Sequence, residues 1–234
     1  WIVGGQQATF DRFENPTGAT TCGEGNGYLS LFRQDRGKLA LREFTISTWL
    51  KWKNNHPTDD YRVLISRGTS PNQDNTNYQL HVFNLGDADY AGKLAAVVGG
   101  GNERGKLLTS DTVVADGKWH HTAFVVNATL SNCTLYIDGK KERQTNVTDV
   151  WVRNELWTTV GVGSPNAKGL GYGHFNGLLD DLRIYKRPLS HLEVKVLYEY
   201  ESKPPASSIP TPPAIESTTN TFGMTFNRIP AGTF

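Results

Sequence analysis

An all-β sandwich of two antiparallel sheets, closed by a short C-terminal helix, is the fold this sequence predicts, on three observations. Segments with period-two alternation or β-rich apolar character recur between residues 28 and 186. Clusters of glycine, asparagine or proline separate them at short intervals. No helical stripe falls between them, so the strands must pair directly rather than through crossover helices. The composition agrees, with 24 glycines and many aromatics (10 Phe, 6 Trp, 9 Tyr) beside one methionine in 234 residues. Chain length alone allows one large domain or two small ones.

The predicted strands are residues 28–32, 43–52, 61–66, 78–83, 93–98, 119–126, 133–137, 157–162 and 177–185. In the second of these, Phe44, Ile46, Thr48, Leu50 and Trp52 share one face. Asp138-Gly139 reads as a tight hairpin turn, because both residue types tolerate positive φ. The helix is signalled by Ser190 and Glu193, spaced as a capping box in which each side chain satisfies an orphan amide of the other. Leu189, Leu192, Val196 and Leu197 give it an apolar stripe, expected to close the end of the sandwich.

Composition divides the chain into three parts. Residues 1–201 carry the sandwich. Residues 202–220 contain five prolines and no aromatic residue, which reads as a semi-rigid, extended linker. Residues 221–234 turn apolar again and read as the opening strand of a truncated second domain. A start at Trp1 and a stop in mid-pattern suggest an excised piece. Lys plus Arg number 24 against 23 acids, a formal charge of +1 that leaves no electrostatic footprint for nucleic acid. Nothing is long and apolar enough for membrane insertion as a helix. Cys22 and Cys133 remain open to three readings: buried small hydrophobes, one disulfide, or a reactive thiol. Asn127, Asn132 and Asn146 open triplets of the glycosylation type, which matter only in a eukaryotic secretory host.

Ligand-binding candidates are rings and donors in or beside loops. Sugars offer an apolar C–H face and a rim of hydroxyls, so their sites combine a stacking ring with fixed polar groups. Trp52, Tyr90, Trp151 and Tyr172 supply rings; Arg67, His81, Arg104 and His174 supply donors. The arginines would favour sulfated or acidic glycans, since a planar guanidinium meets such oxyanions with two bonds. Catalytic signals are missing. No strand holds carboxylates in the alternating Glu-x-Asp pattern of a retaining glycosidase, and adjacent Asp180 and Asp181 should point to opposite sheet faces. The same rule sends His120 and His121 to opposite faces, which denies that dipeptide a shared metal.

Four stretches together resemble the laminin-G-like jelly-roll family, within the concanavalin-A-like lectin and glucanase fold. They run from Phe44 to Leu50, Asp116 to Ala123, Leu135 to Lys140 and Leu179 to Tyr185. The resemblance spans residues 10–201 and implies a jelly roll that binds glycans or proteins outside the cell, secreted or extracytoplasmic and generally without catalysis. It also implies a structural Ca2+ held by Asp180, expected on the core-facing side with Leu178, Leu182 and Ile184, and by backbone oxygens around Gly23. The final residues, from Thr219 onward, resemble the start of a formylglycine-generating-enzyme (sulfatase-modifying factor) type domain, whose catalytic cysteines lie beyond this fragment. The function expected is a monomeric lectin-like module that brings an attached domain to a polysaccharide or surface glycan. Its alternatives are a structural, adhesion or protein-interaction domain and, third, a diverged glycosidase.

Overall fold

A computed structural model of the chain describes residues 2–3, 7–22, 28–30, 37–53, 61–68, 76–84, 86–100, 105–153, 156–162, 173–204, 217–219 and 225–227. The chain divides into two compact units, Trp1–Tyr200 and Glu201–Phe234. The first contains β1 (Ile2–Val3), β2 (Gln7–Thr9), β3 (Ala19–Cys22), β4 (Tyr28–Ser30), β5 (Phe44–Lys53), β6 (Tyr61–Gly68), β7 (Thr76–Phe83) and β8 (Lys93–Val98). It continues through β9 (Lys106–Val113), β10 (Asp116–Asn127), β11 (Asn132–Ile137), β12 (Lys140–Asn146), β13 (Thr158–Val160), β14 (Gly173–His174) and β15 (Gly177–Tyr185) to helix α1 (His191–Glu201). In the second unit β16 (Ser217–Thr219) pairs antiparallel with β17 (Thr225–Asn227), so a strand forms where the sequence suggested only linker.

Two sheets face each other across the first unit. One runs β1-β4-β13-β6-β7-β8-β9, with β14 beside β6; the other runs β12-β11-β10-β5-β15-β3-β2. Every pairing among the described strands is antiparallel except β14, which lies parallel to β6. The alternation explains the sandwich. Phe44, Ile46 and Leu50 of β5, Leu80 and Val82 of β7, and Phe124 and Val126 of β10 all enter one core. Phe44 anchors it, with ring centroids of Tyr78 and Phe124 at 5.0 and 6.0 Å. Each such side chain contributes roughly 1.5–3 kcal/mol by burial.

Both cysteines are free and lie in this core, where burial pushes their thiols up to about 11 for Cys22 and about 12 for Cys133. At the β11–β12 turn Asp138 and Gly139 adopt φ of 49° and 71°, the two positive values the hairpin needed. Of the strands that escaped the sequence reading, β9 and β12 are the longest. β9 is broken by Thr109, Ser110 and Asp111, and β12 is polar along almost its whole length. Both sit at sheet edges, where one unpaired side tolerates such residues.

Helix α1 lies outside the β12-to-β2 sheet, with Leu189 and Val194 packed on Ala123, Val125 and Tyr136. Its capping box forms as read: Glu193 Oε2 accepts the Ser190 amide at 2.7 Å, and Ser190 Oγ accepts the Glu193 amide at 3.2 Å. The buried side of the helix is carried by Val194 and Leu197, while Leu192 and Val196 of the expected stripe are exposed. Leu189 and Leu197 of the expected stripe are therefore packed, and the helix is rotated so that Val194 takes the buried place expected of Leu192 and Val196.

Candidate functional site

The outward face of the β1-to-β9 sheet gathers the best recognition chemistry. Leu80 and Val82 of β7 enter the core, so Gln79, His81 and Phe83 point outward. Pairing sets Ser66 beside Gln79, Val63 beside His81 and Tyr61 beside Phe83. Ser66 Oγ donates to Gln79 Oε1 at 3.2 Å, and Gln79 Nε2 lies 3.1 Å from His81 Nδ1. An amide nitrogen only donates, so Nδ1 is the acceptor and the ring is neutral. Burial agrees, pushing the His81 pKa down to about 3.

His81 is the centre of an aromatic stack. The Tyr61 ring lies 4.4 Å from it, and Phe83 meets it edge-on at 5.0 Å. Tyr90 then stacks on Phe83 at 5.2 Å and 30°, and remains 42% exposed. The loop that presents Tyr90 is held by Asp87, whose Oδ1 accepts the amides of Asp89 at 3.0 Å and Tyr90 at 2.9 Å. Gly92, at φ 71°, closes it by donating to Phe83 O at 3.0 Å. Lys93 Nζ donates to Asp89 O at 3.2 Å and stands 6.0 Å from the Tyr90 ring centroid. An exposed ring is thus braced from behind and flanked by fixed charges.

The other candidates divide. Trp52 is only 2% exposed and packs 6.0 Å from the Phe175 ring, so it serves the core rather than a ligand. Arg67 is fully buried, with Nη1 donating to Thr158 Oγ1 at 2.8 Å and Nη2 to Arg153 O at 3.3 Å. Both were placed near loops by sequence position, yet their strand parity turns them inward. Trp151 is half-buried near the opposite end of β7 and β8, its amide donating to Gly99 O at 2.9 Å and its carbonyl accepting from Asn77 Nδ2 at 2.7 Å. The Arg153 guanidinium lies 4.9 Å from the Trp151 ring centroid. His174 pairs with Val63 in the same outward row as His81, and burial lowers its pKa. Arg104, Tyr172 and Gly23 lie outside the described residues. Tyr61, Phe83 and Lys93 were not singled out in the sequence, although Phe83 shares the parity of His81 and could have been.

Across the molecule, the outward face of the β12-to-β2 sheet is a packed layer. Trp49 lies between the Arg12 guanidinium, 4.7 Å from its ring centroid, and the ring of Tyr198 in α1, at 5.7 Å. His121 abuts Trp49 at 5.4 Å, and its Nε2 bonds Ser47 Oγ at 2.9 Å. His120 instead bridges two carboxylates, Asp138 at 2.9 Å from Nδ1 and Asp116 at 3.2 Å from Nε2, and the bond to Asp138 first of all raises its pKa.

Asp180 departs from its expected place. The β15–β5 register shifts between Asp180 and Arg183, and Asp181 has φ 47°. This bulge reverses parity, so Leu182 and Ile184 pack on the core while Asp180, before it, does not join them. It also turns both neighbouring carboxylates toward one cation: Arg12 binds Asp180 through Nη1 and Asp181 through Nη2, the latter at 2.8 Å. Arg183 adds a second contact to Asp181 at 2.9 Å. Burial pushes the Asp180 carboxyl up, Arg12 pulls it back, and Asp181 adds to the rise. A cavity of about 280 Å³ reaches these two acids from Gly18, Thr20, Cys22 and Leu29. Calcium needs six to eight oxygen ligands, whereas here guanidinium groups already take the carboxylates. Among the described residues no group of three or more His, Cys, Asp or Glu could hold a metal ion. The backbone oxygens around Gly23 that would complete the implied Ca2+ shell lie outside the described residues, and of its described groups the Asp180 carboxylate is held by Arg12.

Comparison with known proteins agrees with this architecture. A laminin-G-type family profile, described as the concanavalin A-like lectin/glucanases superfamily, matches residues 23–195. Comparison with curated proteins returns no match. Among solved structures, the chain is similar to the receptor binding domain of botulinum neurotoxin mosaic serotype C/D, at TM-score 0.62 and 16% identity over 86% of this chain and 45% of that one. The receptor binding domain of botulinum neurotoxin D gives 0.59 and 15%, covering 79% and 44%. The serotype D ligand binding domain in complex with N-acetylneuraminic acid gives 0.56 and 14%, covering 79% and 42%. The chain thus spans less than half the length of each of these proteins. Among the described residues no helix is long and apolar enough to cross a membrane.

Proposed function

The chain belongs to the concanavalin A-like lectin/glucanases superfamily, and from that premise we propose that it is a non-catalytic carbohydrate-binding module. The Tyr90 ring carries the proposal. A sugar stacks its C–H face on an exposed ring, and a ring already immobilised by Phe83, His81 and Tyr61 loses little freedom on binding. The carboxylates described above support a non-catalytic role. Asp180 and Asp181 are tied to Arg12, and Asp116 and Asp138 to His120, whereas a retaining hydrolase needs two carboxyls free to face one sugar bond. In this reading the module works outside the cytoplasm. It raises the local concentration of an attached domain at a polysaccharide, and residues 202–220 tether a formylglycine-generating-enzyme-like domain.

Affinity electrophoresis of the full chain through polysaccharide gels tests the reading. Retardation that falls at least about tenfold in Tyr90→Ala supports it, and no retardation by any polysaccharide rejects it. A protein-interaction role has one observation of its own: Leu192, Val196 and Tyr200 line an exposed apolar groove of about 430 Å³ along α1. A module that binds through that groove would keep its partner in Tyr90→Ala and lose it in Leu192→Ser.

A further inference from the structure

We infer that the Tyr90 platform selects neutral glycans over anionic ones, an inference that rests on the carbohydrate-binding reading above. The loop presenting the ring holds two carboxylates, Asp87 and Asp89, against one ammonium, Lys93. Asp87 commits Oδ1 to the amides of Asp89 and Tyr90, and Lys93 is drawn to the Asp89 carbonyl. Asp89 is exposed and directly precedes Tyr90 in the chain, and the Asp87 carboxylate lies 2.9 Å from the Tyr90 amide, so two acids stand close to the platform. Carboxylates accept hydrogen bonds from sugar hydroxyls and repel a uronate, sialate or sulfate group at the same distance.

Arginine gave the opposite expectation; Arg104 lies outside the described residues, and Arg67 and Arg153 are engaged elsewhere. Arg67 is buried on Thr158 and the Arg153 carbonyl. Arg153 itself stacks on Trp151, near the far end of β8. That is about 17 Å from the Lys93 end at ~3.3 Å per residue, too far to serve a sugar ring on Tyr90. The ligand class assigned is therefore an uncharged polysaccharide of hexose or pentose units.

The test compares neutral gels (β-glucan, mannan, xylan, galactan) with acidic ones (polygalacturonate, alginate, a sulfated galactan) at low and moderate salt. Expected is Tyr90-dependent retention by at least one neutral polymer, and binding to acidic polymers weaker by about tenfold, ~1.4 kcal/mol. Salt should narrow that ratio by screening the repulsion. Asp89→Asn should narrow it about threefold and Lys93→Gln widen it by a similar factor. Tyr90→Phe, which keeps the ring, should retain binding and show that Tyr90→Ala acts through stacking rather than misfolding. Equal or stronger Tyr90-dependent binding to acidic polymers overturns this inference and leaves the carbohydrate reading standing. Binding that survives Tyr90→Ala but is lost in Arg153→Ala also overturns it, by moving the site to Trp151. Failure of every polymer removes the carbohydrate reading itself.

Discussion

The two outward faces of the sandwich use the same residue types for different ends. On the β12-to-β2 sheet, Trp49 and His121 pack against Tyr198 of α1 and Arg12 of the β2–β3 connection, and every ring meets protein. On the β1-to-β9 sheet, Tyr61, His81, Phe83 and Tyr90 form a comparable stack that ends at an exposed ring. A helix with an apolar side covers the first stack, and no described helix covers the second. Aromatic and basic residues thus mark a binding surface only where the topology leaves the last ring uncovered.

Substitutions at equivalent places in the two stacks should separate them. Trp49→Ala removes a buried indole from beneath the Arg12 guanidinium and should cost about 3–5 kcal/mol in chemical denaturation. Tyr90→Ala should cost under ~1 kcal/mol and act on binding instead. Equal losses of stability would erase the distinction. The clamp on the covered face comes next. Arg12→Ala strands the buried Asp180 and should cost about 3 kcal/mol, while adding calcium or a chelator should leave the midpoint of the unchanged chain where it was. A chelator-dependent midpoint would point instead to a metal at Asp180.

A pH dependence draws on one histidine from each stack. Burial is the main cause that pushes His81 down to about 3 and His121 to about 4, from the ordinary histidine value of 6.5. The unfolded chain takes these protons near 6.5 and the folded chain refuses them. Their contribution is whole above pH 6.5 and drains as pH falls toward 4, by up to ~1.4 kcal/mol per pH unit for each. His120 works the other way: raised by Asp138, it stabilises fully below 6.5 and loses that as pH rises through its folded value. Denaturation from ~pH 4.5 to ~8 should show the acid loss, flattened in His121→Gln and steepened in His120→Gln. A flat profile would mean that both buried rings reach water.

Local chemistry made much of the fold legible. Alternation in residues 44–52 and 78–83 predicts strands because every second side chain must share a face. Asp138-Gly139 predicts its turn because few other pairs adopt two positive φ values. Ser190 and Glu193 predict the start of α1 because the helix N-terminus leaves amides that need them. The candidate site was legible only in part. Tyr90 and His81 were marked, but Trp52 and Arg67 were assigned to loops that their parity turns inward.

What the sequence by itself determined was the sequence-local order: strands, turns, the helix start, and the near-neutral charge that argues against nucleic acid. Tertiary structure alone decided which faces are covered, which arginine meets which acid, and which ring stays open. The bulge at Asp181 shows the reason. One extra residue in β15 reverses the face of everything before it, and Arg12, 168 residues away in sequence, then becomes the partner of Asp180. Periodicity carries no information about such an insertion or about contacts so distant, because both depend on how the strands register once they are packed together.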